Sequence, residues 1–151
     1  MNKYKLSFSL TGTLLFVCVM IPNIIWAYYP AQNDILRMTS VTPKLDTLTS
    51  VFQFVLIAII CTVKSTDNRV SHLKLILNAV MIFSITCYYG SWFAYYADSS
   101  HFIFVFLLSA TPFLIFGCYI IKNRLYIALL PLILFSIGHI LFAFSNFYAL
   151  Q

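Results

Sequence analysis

Glutamate is absent from this sequence, and charge of either sign is scarce: Asp, Glu, Lys and Arg together make up 9% of its 151 residues. A soluble globular chain carries about 25%, so there are too few ionised groups to cover a surface facing water. Asp34, Asp46, Asp67 and Asp98 all fall between apolar runs, which argues against a carboxylate relay inside a hydrophobic span. No HExxH, GxSxG, P-loop or glycine-rich phosphate pattern occurs. Cys18, Cys61, Cys87 and Cys118 each sit alone in a separate apolar run, where a thiol behaves as a small hydrophobe. His72, His101 and His139 are too widely spaced for a local metal site. No cofactor and no metal are therefore expected, and no catalytic residue is identifiable.

What the chain has in abundance is apolar side chains, at 62%. They gather in five runs, 6–29, 48–63, 75–97, 102–121 and 125–148, and a helix needs roughly 20 residues to cross a bilayer core. The second run is short; beginning it at Leu45 and letting Lys64 snorkel restores its length. Barrel strands alternate in polarity and are shorter, whereas these runs are apolar all round. The expected fold is all-α: a single bundle over 1–151 of five transmembrane helices, with a loop at 30–47. The first run resembles a signal peptide in following Lys3 and Lys5, but it is long and Ile25-Trp26-Ala27 is a poor cleavage site, so it is expected to stay as the first helix.

The net charge of +5 is spread in small groups between the runs, unlike the single basic face of a nucleic-acid reader. With the N-terminus inside, Lys3, Lys5, Lys64, Arg69, Lys74, Lys122 and Arg124 are cytoplasmic, and only Arg37 and Lys44 lie outside. That bias predicts N-in, C-out in the cell membrane. Trp26, Tyr28 and Tyr29, with Trp92, Tyr95 and Tyr96, then fall at the outer interface as an aromatic belt. The lipid bilayer is the expected partner, together with a second copy of the chain or another membrane protein; nucleic acid is not.

Interruptions in the apolar runs are the informative positions. Pro22, Pro112 and Pro131 are read as helix kinks that free the carbonyls of Cys18, Leu108 and Ile127. Thr86, Gly90 and Ala94 make a small-residue ridge suited to close helix packing. Ser136, His139, Ala143 and Asn146 share one face of the fifth helix, which should point into the bundle, with Asn23 as the expected hydrogen-bond partner of His139 and Gln53 as second choice. His139 is either a neutral structural residue or a proton-relaying or ligand-binding one. Asn23, Gln53, Asp98, His101, His139 and Asn146 all fall toward the outer side, while Asn78 lies deep on the inner side. Either the six form a polar pocket open to the outside, or polar residues simply thicken toward one interface.

Pro22-Asn23-Ile24-Ile25-Trp26, Tyr88-Tyr89, Trp92, Pro112, Lys122-Asn123 and Ser136-Ile137-Gly138-His139-Ile140 together resemble a group of small uncharacterised bacterial membrane proteins. The resemblance spans most of the chain and implies a five-helix protein of the cytoplasmic membrane. It supplies no activity. Members of that group open the second helix with an acidic-basic pair, then glycine and glutamine; here Gln53 matches, and Thr49, Ser50 and Phe52 stand in the other places. The expected function is a non-enzymatic membrane component acting through helix or partner contacts. The alternative is a small-solute permease or channel, which requires a continuous polar path. An intramembrane enzyme using His139 as a base lacks a nucleophile.

Overall fold

Ser9 starts the first helix by accepting the Gly12 amide on its hydroxyl at 3.2 Å, which satisfies one of the donors that every helix start leaves free. The computed structural model describes residues 3–32, 34–37, 39–67, 73–97 and 101–149, without the side chains of Asn146 and Ala149. Within them lie α1 (Leu10–Tyr28), α2 (Pro43–Thr62), α3 (Lys74–Tyr96), α4 (Phe102–Lys122) and α5 (Leu129–Ala149), with single 3-10 turns at Ile35–Arg37 and Tyr126–Ala128. Five helices are long and apolar enough to cross a membrane.

The boundaries differ from the apolar runs where polar chemistry intervenes. The first helix begins at Leu10 because Tyr4–Leu6 is extended: as β1 it pairs antiparallel with β2 (Val63–Ser65), Lys5 opposite Lys64. The second begins at Pro43, a residue suited to a first turn that needs no N–H, and the Asp46 amide reaches the Thr42 carbonyl at 3.0 Å. Its 20 residues are long enough to cross a bilayer core without a snorkelling lysine. Pro131 is not an interior kink; it lies in the first turn of α5, where its missing donor costs nothing. Pro22 and Pro112 do sit inside helices.

α4 is the central helix, with 56% of its most apolar stretch buried against 17% for α1 and α2. It packs on α3 and α5, and α5 packs on α2; α1 meets α2 and α3 more sparingly. Phe54, Phe83, Phe93 and Leu75 are each at least 70% exposed on the outside of the bundle.

Close approach is made at glycines other than the one expected. A Cβ on Gly138 would strike the Thr49 side chain of α2, and one on Gly12 would strike the Ile60 carbonyl and lie 2.9 Å from the Tyr119 hydroxyl. Gly90 has nothing within 4 Å, and Thr86 is exposed beside it. The Thr86-Gly90-Ala94 ridge therefore does not pack α3 against its own bundle; Ser84, Tyr88 and Ser91, buried residues of α3, lie on the opposite face. Gly138→Ala is expected to lower stability by about 1–3 kcal/mol, as overpacking does, while Gly90→Leu leaves the monomer's thermal unfolding midpoint unchanged. Equal losses in both variants, measured on purified protein, would contradict this packing.

Candidate functional site

Pro22 has no N–H, so the Cys18 carbonyl one turn below loses its helical donor. The Tyr89 hydroxyl of α3 replaces it, donating at 2.6 Å. One residue along, the Val19 carbonyl accepts from the Tyr88 hydroxyl at 3.1 Å and from the Asn23 amide at 3.0 Å. The same Asn23 amide donates to the Tyr88 oxygen at 2.6 Å. Two neighbouring tyrosines thus bind the kinked segment of α1 to α3.

Above them the rings continue along α3. Trp92 stands edge-on to Tyr88 and to Tyr95, and Trp26 of α1 lies 6.2 Å from it. Trp92 and Tyr95 are buried, so they are core rather than belt residues; Tyr28 and Tyr29 are exposed as an interface belt requires. The loop after α1 closes over this column through Asp34, whose carboxylate accepts from the Trp26 indole at 2.7 Å and the Tyr95 hydroxyl at 2.8 Å. Arg37 pairs with Asp34 at 3.5 Å, donates to the Trp26 and Ala27 carbonyls at 2.6 Å, and stacks on the Trp26 ring. Leu36, held by its amide on the Tyr95 hydroxyl, points downward as the roof of a cavity.

That cavity has a volume of about 200 Å³ and takes lining residues from all five helices. Most of its wall is apolar or aromatic, including Trp26, Trp92, Phe135 and Phe142. Asn23 enters from α1, Gln53 from α2 and His139 from α5, so three of the six polar residues singled out from the sequence share one space. Asn23 is committed to Tyr88. Gln53 and His139 make no side-chain hydrogen bond among the described residues; the imidazole is stacked instead between Phe135 and Phe142 of its own helix, at 5.2 and 6.3 Å. The expected His139–Asn23 hydrogen bond is thus not formed, because the amide is taken by a tyrosine that sequence reasoning had assigned to no role. Among the described residues the buried Trp92 N–H also has no hydrogen-bond acceptor. His101 is exposed at the start of α4 and does not line the cavity. Asp98 and the Asn146 side chain lie outside the described residues.

A second pocket lies at the opposite end of the bundle, about 270 Å³ in volume and polar, bordered by Ser9, Lys64, Lys122 and Asn123 among others. Lys122 reaches Asn78 at 2.9 Å, the one polar residue the sequence placed on that side. The two pockets share no lining residue; between them the helices carry Leu15, Ile60 and Ile115, all buried. Among the described residues no group of three His, Cys, Asp or Glu could hold a metal.

Tyr89→Phe should cost about 1 kcal/mol, the usual net worth of one hydrogen bond, and close to nothing in a Pro22→Ala background, where the restored N–H serves Cys18. Thermal unfolding of the four proteins of that cycle checks it; equal costs in both backgrounds would remove Tyr89 from this role. Comparison with family models, curated proteins and solved structures finds no match to this chain.

Proposed function

We propose that this chain is a multi-pass protein of the cell membrane, N-terminus inside and C-terminus outside, that binds a small, mainly apolar solute in the cavity between its helices. The observation that carries this reading is the pair Gln53 and His139, which face an aromatic cavity with their hydrogen-bonding capacity unfilled. Ligand pockets commonly combine apolar walls with a few polar groups that fix orientation. The segments behind the bacterial resemblance support it as well: Asn23, Trp26, Tyr88, Trp92, Pro112 and His139 all line this one space. Thr49 occupies the place of that group's acidic residue and packs on Gly138, next to His139, so here the neighbouring group is a neutral hydroxyl. The bias of basic residues toward one end supports the orientation, and with it a cavity nearer the outer face.

Binding is favoured over conduction because Leu15, Ile60 and Ile115 fill the bundle below the cavity. A second reading, action through helix contacts with another membrane protein, is favoured by one feature: the exposed Gly90 surface, which none of the described residues covers.

Trp26 and Trp92 are the chain's two tryptophans, and both line the cavity, so intrinsic fluorescence reports its occupancy. Tribromoethanol, an apolar quencher with one hydroxyl, is expected to quench it saturably. Gln53→Leu and His139→Leu should each weaken that binding by about threefold to tenfold, the worth of one hydrogen bond, and Ser109→Phe, which fills the space, should abolish it. Linear quenching that is identical in wild type and Ser109→Phe counts against a binding cavity. For orientation, a cysteine replacing Lys44 should react with an impermeant thiol reagent added outside cells, and one replacing Asn123 only after permeabilisation. The reverse labelling pattern overturns the topology.

A further inference from the structure

In the short sheet that joins the start of the chain to the α2–α3 connection, Lys5 lies directly opposite Lys64. Like charges in that position destabilise an antiparallel pair, and a two-stranded pair is marginal in water to begin with. Both lysines are exposed, and neither has an ion pair among the described residues. Lys64 also borders the polar pocket of about 270 Å³, together with Lys122, Ser65, Thr11 and Asn123. Lys122 gives one N–H to Asn78, and an ammonium group has two more. The carboxylate at the rim, Asp67, is neutralised by Arg124 at 3.0 Å. Among the described residues the pocket therefore presents more positive than negative charge, with hydroxyls and an amide.

In the segment that carries Lys5, Leu6 is 87% exposed and Phe8 64%. Apolar side chains next to free lysines are the composition of a segment lying at the boundary of headgroups and acyl chains. We propose that this pocket and the Lys5–Lys64 pair bind the phosphate group of an anionic phospholipid, with Leu6 and Phe8 against its acyl chains. The phosphate supplies the countercharge that the cross-strand lysines lack, so the lipid holds β1 on β2. The inference rests on the membrane placement proposed above and is independent of the solute cavity.

The full chain is reconstituted in nanodiscs of phosphatidylcholine alone or of phosphatidylcholine with phosphatidylglycerol, and its thermal unfolding midpoint is measured. A ligand bound only by the folded state raises that midpoint. The wild type is expected to unfold several degrees higher with phosphatidylglycerol. The Lys5→Gln, Lys64→Gln double variant should lose most of that shift, and in phosphatidylcholine alone should match or exceed the wild type, since its repulsion is gone. Lys44→Gln, at the far end of the bundle, should keep the shift. The proposal is overturned if the wild type unfolds alike in both membranes, if the double variant keeps the full shift, or if Lys44→Gln loses as much. Inorganic phosphate producing the whole shift in phosphatidylcholine overturns the lipid assignment in favour of a free anion. A chain that fails to enter nanodiscs at all refutes the membrane placement instead.

Discussion

A carbonyl without a donor is costly wherever water is scarce, and the Cys18 carbonyl below Pro22 meets the Tyr89 hydroxyl of α3 instead of a backbone amide. Tyr88 binds the next carbonyl along. Because each hydroxyl stands at the end of a rigid ring, α1 is held about one tyrosine length from α3, and small residues never draw the two backbones together. α1 packs sparingly on its neighbours as a result. The space left between its kinked half and α4 is the cavity. The proline, the tyrosines and the cavity are one arrangement.

The helices were legible in the sequence because long apolar runs have few other uses. Their ends were not, since hydropathy is blind to a proline that suits a first turn, as at Pro43, and to a strand pairing of three residues with a distant partner. The convergence of Asn23, Gln53 and His139 could be read from polar positions at matching depth. Their hydrogen bonds could not. Tyr88 and Tyr89 read as part of an apolar run, and how far an aromatic side chain reaches depends on which helix lies opposite. The same blindness affects glycine: spacing singled out Gly90, whereas the contacts fall to Gly12 and Gly138, single small residues with no repeat to mark them. Asp34 left a faint signal, a carboxylate three residues before Arg37 in a loop flanked by aromatics.

The two ends of the bundle are built from different chemistry. At one, Asp34 gathers an indole, a phenol and a guanidinium and is nearly closed to solvent, so it ties the turn at Ile35–Arg37 to α1 and α3. At the other, the amides of Ser7 and Ser9 bond to the carbonyls of Thr62 and Cys61, and the cations around them stay open. Buried Leu15, Ile60 and Ile115 separate the two.

The first two helices are fastened at one end by the β1–β2 pairing, while along their length α2 packs chiefly on α5. Between themselves the two helices leave an open seam. The wall bearing Phe135, His139 and Phe142 belongs to α5, so the cavity is not closed without that helix. A chain lacking α5 would carry Thr49 and Gln53, one a contact of Gly138 and the other a wall of the cavity, on an uncovered face of α2.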